Sequence, residues 1–104
     1  MIPANIDSKT RRAVYRRDWW ACALCDDRRH LQIHHCIPRS LGGNNSDHNL
    51  ITLCSKCHAL AHGTKLDETD RTPQDVRQAC IEYLADCYAP EWRPYKDNIL
   101  ARRL

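Results

Sequence analysis

The sequence predicts a small α+β domain whose core needs a cross-link to be stable. The chain has 104 residues and no phenylalanine, and a domain of this size buries little apolar surface when it folds. Two short apolar segments lie between stretches with helical periodicity. The chain also carries 7 cysteines. We therefore expect one domain, 1–104, held together by disulfides or by a metal ion.

The spacing of the cysteines favours a metal. Cys22 and Cys25 form one Cys-x-x-Cys pair, and Cys54 and Cys57 form a second, with 28 residues between the pairs. We recognise no secretory signal and no membrane-spanning run, so we expect a cytoplasmic protein without a membrane partner. In a reducing cytosol such pairs bind metal more often than they form disulfides. Four thiolates suit a closed tetrahedral zinc site, and we predict structural Zn²⁺ there.

A first helix is expected near the N-terminus. Asp7 or Ser8 can accept hydrogen bonds from free N–H groups of its first turn, and the helix should run to about residue 17. Val14 and the adjacent pair Trp19 and Trp20 are expected to anchor it against the core.

Two short strands and a second helix should occupy the centre of the chain. Residues 31–34 and 49–53 have the apolar patterns of strands, and the glycine- and asparagine-rich segment 38–47 reads as the loop between them. Residues 55–61 favour helix, and Gly63 follows at a position where helices commonly end in a left-handed conformation.

A last helix should span about residues 73–88. Thr72 and Pro73 form a typical helix start, and apolar residues then recur at helical spacing. This stripe makes Cys80 and Cys87 core residues. A basic tail, 90–104, follows.

Four histidines and an asparagine form the most informative pattern. They are His34 and His35 at the end of the first predicted strand, Asn49 at the start of the second, and His58 and His62 within and just after the helix that follows. The last two are four residues apart and therefore share one helical face. Adjacent strand residues point to opposite faces, so His34 and His35 can share a site only where the strand ends or bends.

Taken together, these motifs resemble the HNH endonucleases of the ββα-metal, treble-clef type. The resemblance rests on Cys-x-x-Cys, His-His-x-x-Pro, Gly-Gly and Asn-Leu-x-x-Leu-Cys-x-x-Cys-His, which all lie in a core at 19–64. It implies a zinc-stabilised treble-clef ββα-metal core with flanking N- and C-terminal helices. The implied activity is metal-dependent hydrolysis of DNA phosphodiester bonds.

The resemblance also implies a role for each polar residue of the pattern. His35 would be the general base and Asn49 the residue that orients it, while His34, His58 and His62 would bind the catalytic ion. Many relatives have Asp at the position of His34, and this chain resembles the His-His version found in nuclease colicins. For His62 a second reading stays open, because a histidine at a helix end can also serve as a capping charge.

The donor set bears on which metal is used. Three imidazoles favour Mn, Ni, Zn or Co over Mg, which prefers oxygen ligands. We therefore expect higher turnover in Mn or Ni than in Mg.

The basic residues suggest where DNA could bind. A net charge of +3 is too small to indicate nucleic-acid binding by itself. The positions of the charges say more: Arg39 and Lys56 lie beside the motifs, and Arg16 and Arg17 belong to a basic first helix. These four residues are the candidate DNA contacts. The resemblance implies double-stranded DNA as substrate. If the protein is phage-encoded, it also implies a large terminase subunit as partner and the bacterial host cytosol as location. No base-reading residues are evident, so little sequence preference is expected, and the oligomeric state stays open.

Two readings without catalysis remain. A zinc-stabilised DNA-binding module, or a purely structural zinc domain, would explain the cysteines and arginines but not the histidine pattern. Among the other residues near the motifs, Cys36 is expected to serve packing, and His30 and His48 are expected to lie on the surface or in loops.

Overall fold

A two-stranded sheet lies among three helices in the computed structural model, which describes residues 6–64 and 70–96. Most of the predicted basic tail lies outside these residues. Within them, no helix is both long enough and apolar enough to cross a membrane. The elements in chain order are α1 Ser8–Arg17, β1 Gln32–His35, a 3-10 turn Arg39–Leu41, β2 Leu50–Leu53, α2 Ser55–Ala61 and α3 Pro73–Cys87.

The helix ends follow the local sequence signals. Asp7 caps α1 by accepting a 2.7 Å hydrogen bond from the Thr10 N–H. Thr72 and Asp75 form a reciprocal capping box at the start of α3. Gly63, with a φ of 98°, follows α2 in the left-handed region.

The two strands are antiparallel and differ in burial. His34 pairs with Ile51, and His35 pairs with Leu50. All four residues of β2 are buried, whereas β1 is partly open to solvent. The sheet therefore places its second strand in the core and leaves the histidine strand at the margin.

The apolar core forms where α2 and α3 meet β2. Leu60, Val76, Cys80 and Leu84 pack there, so the prediction that Cys80 is a core residue is confirmed. Cys87, in contrast, is exposed, and its assignment to the core was wrong. The helical stripe continues from Leu84 to Tyr88, which packs against the core four residues later.

The tryptophan pair does not anchor α1 as expected. Val14 is fully buried, but Trp19 is 80% exposed and Trp20 is 50% exposed. The reason is that both tryptophans have positive φ angles, 62° and 52°, which turn the chain away from the helix end. Trp20 instead stacks on Tyr15, with 5.1 Å between ring centroids.

A buried ion pair links α1 to the rest of the fold. Arg17 donates two 2.8 Å hydrogen bonds to the Asp18 carboxylate, whose side chain is 0% exposed. That carboxylate also accepts the Thr52 N–H of β2, at 2.9 Å, and the Tyr83 hydroxyl of α3, at 2.7 Å. One carboxylate thus joins three elements.

Arg17 is held by further contacts on its outer side. Its guanidinium donates to the carbonyls of Asp47 and Leu50 and to the Tyr88 hydroxyl, at 2.7–2.9 Å. Only 17% of its side chain is exposed. All three of its side-chain nitrogens are engaged within the protein, so we correct the expectation that Arg17 contacts DNA and assign it a structural role.

Replacing Asp18 by Asn should strongly destabilise the fold. The change leaves a buried arginine charge unpaired, and such a loss costs about 3–5 kcal/mol. Denaturant unfolding in zinc-containing buffer should show this decrease in the free energy of unfolding. Asp86→Asn is the control, because Asp86 is exposed on α3 and should change the value by less than about 0.5 kcal/mol. Equal stability of the two variants would contradict the role given to Asp18.

Candidate metal and catalytic site

Four cysteines converge between α1 and α2. Cys22 and Cys25 lie on the turn before β1, and Cys54 and Cys57 lie at the start of α2, with all four sulfur atoms within 4.8 Å of one another. The Cys25 and Cys54 sulfurs are 3.6 Å apart. All four cysteines are free thiols. The structure therefore brings together the complete set of predicted zinc ligands.

The electrostatics of this cluster suit a bound cation. A hydrogen bond from Cys57 lowers the pKa of Cys22 to about 4, which favours a thiolate. The guanidinium of Arg71 lies 3.5 Å from the Cys57 sulfur through both terminal nitrogens and adds positive charge beside the sulfurs. Four soft sulfur donors in a closed group fit a tetrahedral zinc ion.

Three histidines form a second cluster at the other end of α2. The ring nitrogens of His34, His58 and His62 lie within 4.8 Å of one another. The Nε2 atoms of His58 and His62 are 2.9 Å apart, and the other ring nitrogen of His58 contacts the Gln32 side-chain oxygen. His34 from β1, His58 from α2 and His62 directly after α2 thus meet as the sequence pattern predicted.

The His34 ring is prepared to act as a ligand. The residue is only 7% exposed, and its Nδ1 is buried without a hydrogen-bond partner among the residues that the structure describes. Burial, followed by the nearby His58 and His62, lowers the pKa of His34 to about 3. Burial and His62 also lower the pKa of His58. A buried, neutral imidazole without a partner fits a divalent metal ion as its missing contact.

His34 and His35 border the same cavity although they are adjacent in β1. The cavity has a volume of about 290 Å³ and is also lined by His58 and His62. The strand ends at His35, so the alternation of a regular strand no longer separates the two side chains. His34 and His35 were expected to share a site only where the strand ends or bends, and the end of β1 at His35 meets this condition.

Asn45 holds the His35 ring, and sequence reasoning did not identify it. Its Oδ1 lies 2.8 Å from His35 Nε2. An oxygen acceptor there places the proton on Nε2 and leaves Nδ1 as the proton-accepting nitrogen. The signal that could have indicated Asn45 is its place in the polar loop directly after the His-His motif.

Asn49 holds the loop that carries Asn45 through hydrogen bonds to Ile37 and Asn44. It is completely buried, accepts a 2.7 Å hydrogen bond from the Ile37 N–H, and donates to the carbonyls of Ile37 and Asn44 at 3.0 and 2.9 Å. A Cβ at Gly43 would overlap the Ile37 carbonyl oxygen, so only glycine allows this close approach. Asn49 therefore fixes the segment that carries Asn45, and its influence on His35 is indirect.

The predicted DNA-contact residues differ in their positions. Arg39 is exposed and lines the histidine cavity, as does Arg77 of α3, which the sequence did not suggest. Lys56 and Arg16 are exposed but do not line that cavity. Arg17 is part of the internal network described above.

The remaining residues near the motifs have local roles. Cys36 is buried, which raises the pKa of its thiol to about 12, and this environment agrees with packing. His30 is exposed with a φ of 53°. His48 lies in a loop but is half-buried. Its ring stacks on that of Tyr88, with 3.9 Å between the ring centroids, and its Nδ1 accepts a hydrogen bond from the Arg93 N–H.

Comparison with known proteins agrees with the motif analysis. Residues 22–64 match the family described as HNH endonuclease. The chain is also similar to the type IV methyl-directed restriction enzyme EcoKMcrA of Escherichia coli (strain K12), with 40% identity over 42 residues. That match covers 40% of this chain and 15% of the restriction enzyme. No solved structure matches.

The matched segment contains both candidate metal-binding clusters, His35, Asn45 and Asn49. Residues 22–64 of this chain are therefore similar to the HNH endonuclease family over the whole of the candidate site.

Proposed function

We propose that this protein is a metal-dependent endonuclease that hydrolyses phosphodiester bonds of double-stranded DNA. One observation carries the proposal: His34, His58 and His62 converge in a cavity that His35 also lines. A DNA-binding module needs no such group of imidazoles, whereas hydrolysis of an anionic ester needs both positive charge and a base.

We also propose that the cysteine cluster holds a structural zinc ion in a treble-clef arrangement. The four sulfurs come from the turn after α1 and from the start of α2. Support comes from the soft, closed donor set and from the small core of the chain.

The histidine cluster would hold the catalytic ion. His34, His58 and His62 would be its ligands, and their nitrogen-rich set favours Mn, Ni, Zn or Co over Mg. When bound, a divalent ion supplies Lewis-acid stabilisation of the charge that develops on phosphoryl oxygens.

His35 then acts on water as the general base. Its Nε2 proton is donated to Asn45 Oδ1, which leaves the Nδ1 lone pair free to accept a proton from a water molecule. Asn49 keeps the loop in place by its hydrogen bonds to Ile37 and Asn44. Arg39 is exposed and lines the cavity, so it would bind a phosphate of the substrate, and Lys56 and Arg16 would be more distant DNA contacts.

Replacing His35 by Ala should abolish cleavage and preserve the fold. Loss of a general base lowers rates by about 100- to 10,000-fold. The measurement is nicking of supercoiled plasmid by metal-stripped protein after addition of Mg, Mn, Ni or Zn. We expect the wild type to cut faster in Mn or Ni than in Mg.

Circular dichroism and plasmid binding control for the integrity of the His35→Ala protein. A folded variant that still cuts at the wild-type rate would exclude His35 as the base. Binding without cleavage by the wild type, in every metal, would favour the zinc-stabilised DNA-binding module.

Replacing Asn45 by Ala should lower kcat by about 10- to 100-fold, the usual effect of losing a partner that orients a functional histidine. KM should change little, because Asn45 orients His35 and is not proposed to bind DNA. Asn45→Asp retains an oxygen acceptor and should recover much of the rate. The role would be disproved if the Asp and Ala variants were equally impaired at equal thermal stability.

Replacing Cys22 by Ser should prevent stable folding. Structural zinc contributes on the order of 10–16 kcal/mol in small zinc-dependent peptides, and Cys22 is completely buried in the cluster. Zinc content and circular dichroism report the loss. Cys87→Ser is the matched control, because Cys87 is exposed and lies outside the cluster. A Cys22→Ser protein with wild-type zinc content and stability would contradict the proposed zinc site.

A further inference from the structure

A second cavity continues from the histidine cavity along α3. It has a volume of about 830 Å³, and we call it the α3 groove. Cys36, Pro38, Ala61, His62 and Arg77 line both cavities. The candidate catalytic site and the α3 groove are therefore parts of one continuous surface depression.

One face of α3 forms a wall of this groove. Gln74, Arg77, Gln78 and Ile81 line it, and they recur at intervals of three and four residues, as neighbours on one helix face do. This face differs from the one that packs in the core. Three of these four residues, Gln74, Arg77 and Gln78, are polar, so this wall of the groove offers hydrogen-bonding groups.

The groove is chemically suited to a polyanion. Arg77 lines the groove, Arg39 lines the adjoining histidine cavity, and no described residue lining either cavity is an aspartate or a glutamate. Arg77 Nη1 donates to the Ala61 carbonyl at 3.2 Å. This bond holds the guanidinium at the junction of the two cavities, and its other nitrogens have no hydrogen-bond partner among the described residues, so they can bind a ligand.

The glutamines add groups that can recognise bases. Gln74 and Gln78 are exposed and lie one turn apart. Gln78 donates a long 3.5 Å hydrogen bond to Glu82, which leaves its carbonyl oxygen free to accept. Glutamine amides pair with the edges of bases, and arginine binds phosphate through several N–H groups.

We propose that the α3 groove binds the DNA strand next to the scissile phosphate, with Arg77 on a backbone phosphate and Gln74 and Gln78 at base edges. The proposal rests on the nuclease function above and extends it to α3, which lies outside the matched residues 22–64. A strand held at the histidines must continue along an adjoining surface. The α3 groove adjoins them, and no described residue that lines it is an aspartate or a glutamate, so α3 gives this enzyme a sequence preference that the motifs alone did not predict.

Binding of an uncleaved, labelled duplex tests the phosphate contact. Full-length protein carrying His35→Ala serves as the parent, so that no substrate is lost. Adding Arg77→Ala should raise Kd about tenfold, the loss expected for one charge-assisted hydrogen bond. It should also reduce the slope of log K against log salt by about 0.9. Arg77→Lys should restore the slope because it retains the charge.

Arg29→Ala provides the matched control for loss of a positive charge. Arg29 is exposed and lines neither cavity, so its removal should change Kd by less than about twofold. An equal effect of Arg29→Ala and Arg77→Ala would overturn the groove proposal, because the effect would then reflect net charge alone.

Cleavage positions test the base contacts. The otherwise wild-type protein carrying Gln74→Ala and Gln78→Ala should cut an end-labelled duplex at a different distribution of positions from the wild type. Thermal unfolding verifies that the variant is intact. The groove proposal would be overturned if the distribution of cleavage positions and the Kd of the Arg77→Ala variant were both unchanged. In that case, cleavage by the wild type would still support the nuclease. Absence of wild-type cleavage would overturn the nuclease, and the binding comparison would still decide the groove.

Discussion

The Asp18 carboxylate holds together elements that the small apolar core could not fix alone. It receives two hydrogen bonds from Arg17, one from the Thr52 N–H of β2 and one from Tyr83 of α3. A buried carboxylate is costly unless charge and hydrogen bonds compensate it, and here both do. Because Thr52 lies in the strand that pairs with β1, this contact also sets the position of the histidine strand.

The helix α2 couples the stability of the fold to the geometry of the candidate site. It has only seven residues, yet cysteines of one cluster lie at its start and histidines of the other lie near its end. A helix this short is unstable by itself. The proposed zinc ion at the cysteine end would therefore order the scaffold on which His58 and His62 approach His34. The two clusters are chemically separate, but one element positions both.

Local signals in the sequence were sufficient to predict the secondary structure and the two clusters of candidate metal ligands. A capping side chain, a proline at a first turn and a glycine with positive φ act within a few residues of the helix ends they define. The spacing of His58 and His62 likewise predicts a shared face without knowledge of the fold. Such features are readable because each depends on neighbours in the chain.

Contacts between distant segments were the ones that sequence reasoning missed. Arg17 looked like a surface cation because its partners, at Leu50 and Tyr88, lie 33 and 71 residues away. Asn45 could not be identified from the sequence because its contact with His35 depends on the fold of the intervening loop. Arg77 likewise reaches the site only because α3 packs beside α2. The motif therefore identifies the histidines to which we assign the proposed chemistry. The residues that surround them, Asn45 and Arg77, could not be predicted, because tertiary packing alone brings those residues to the site.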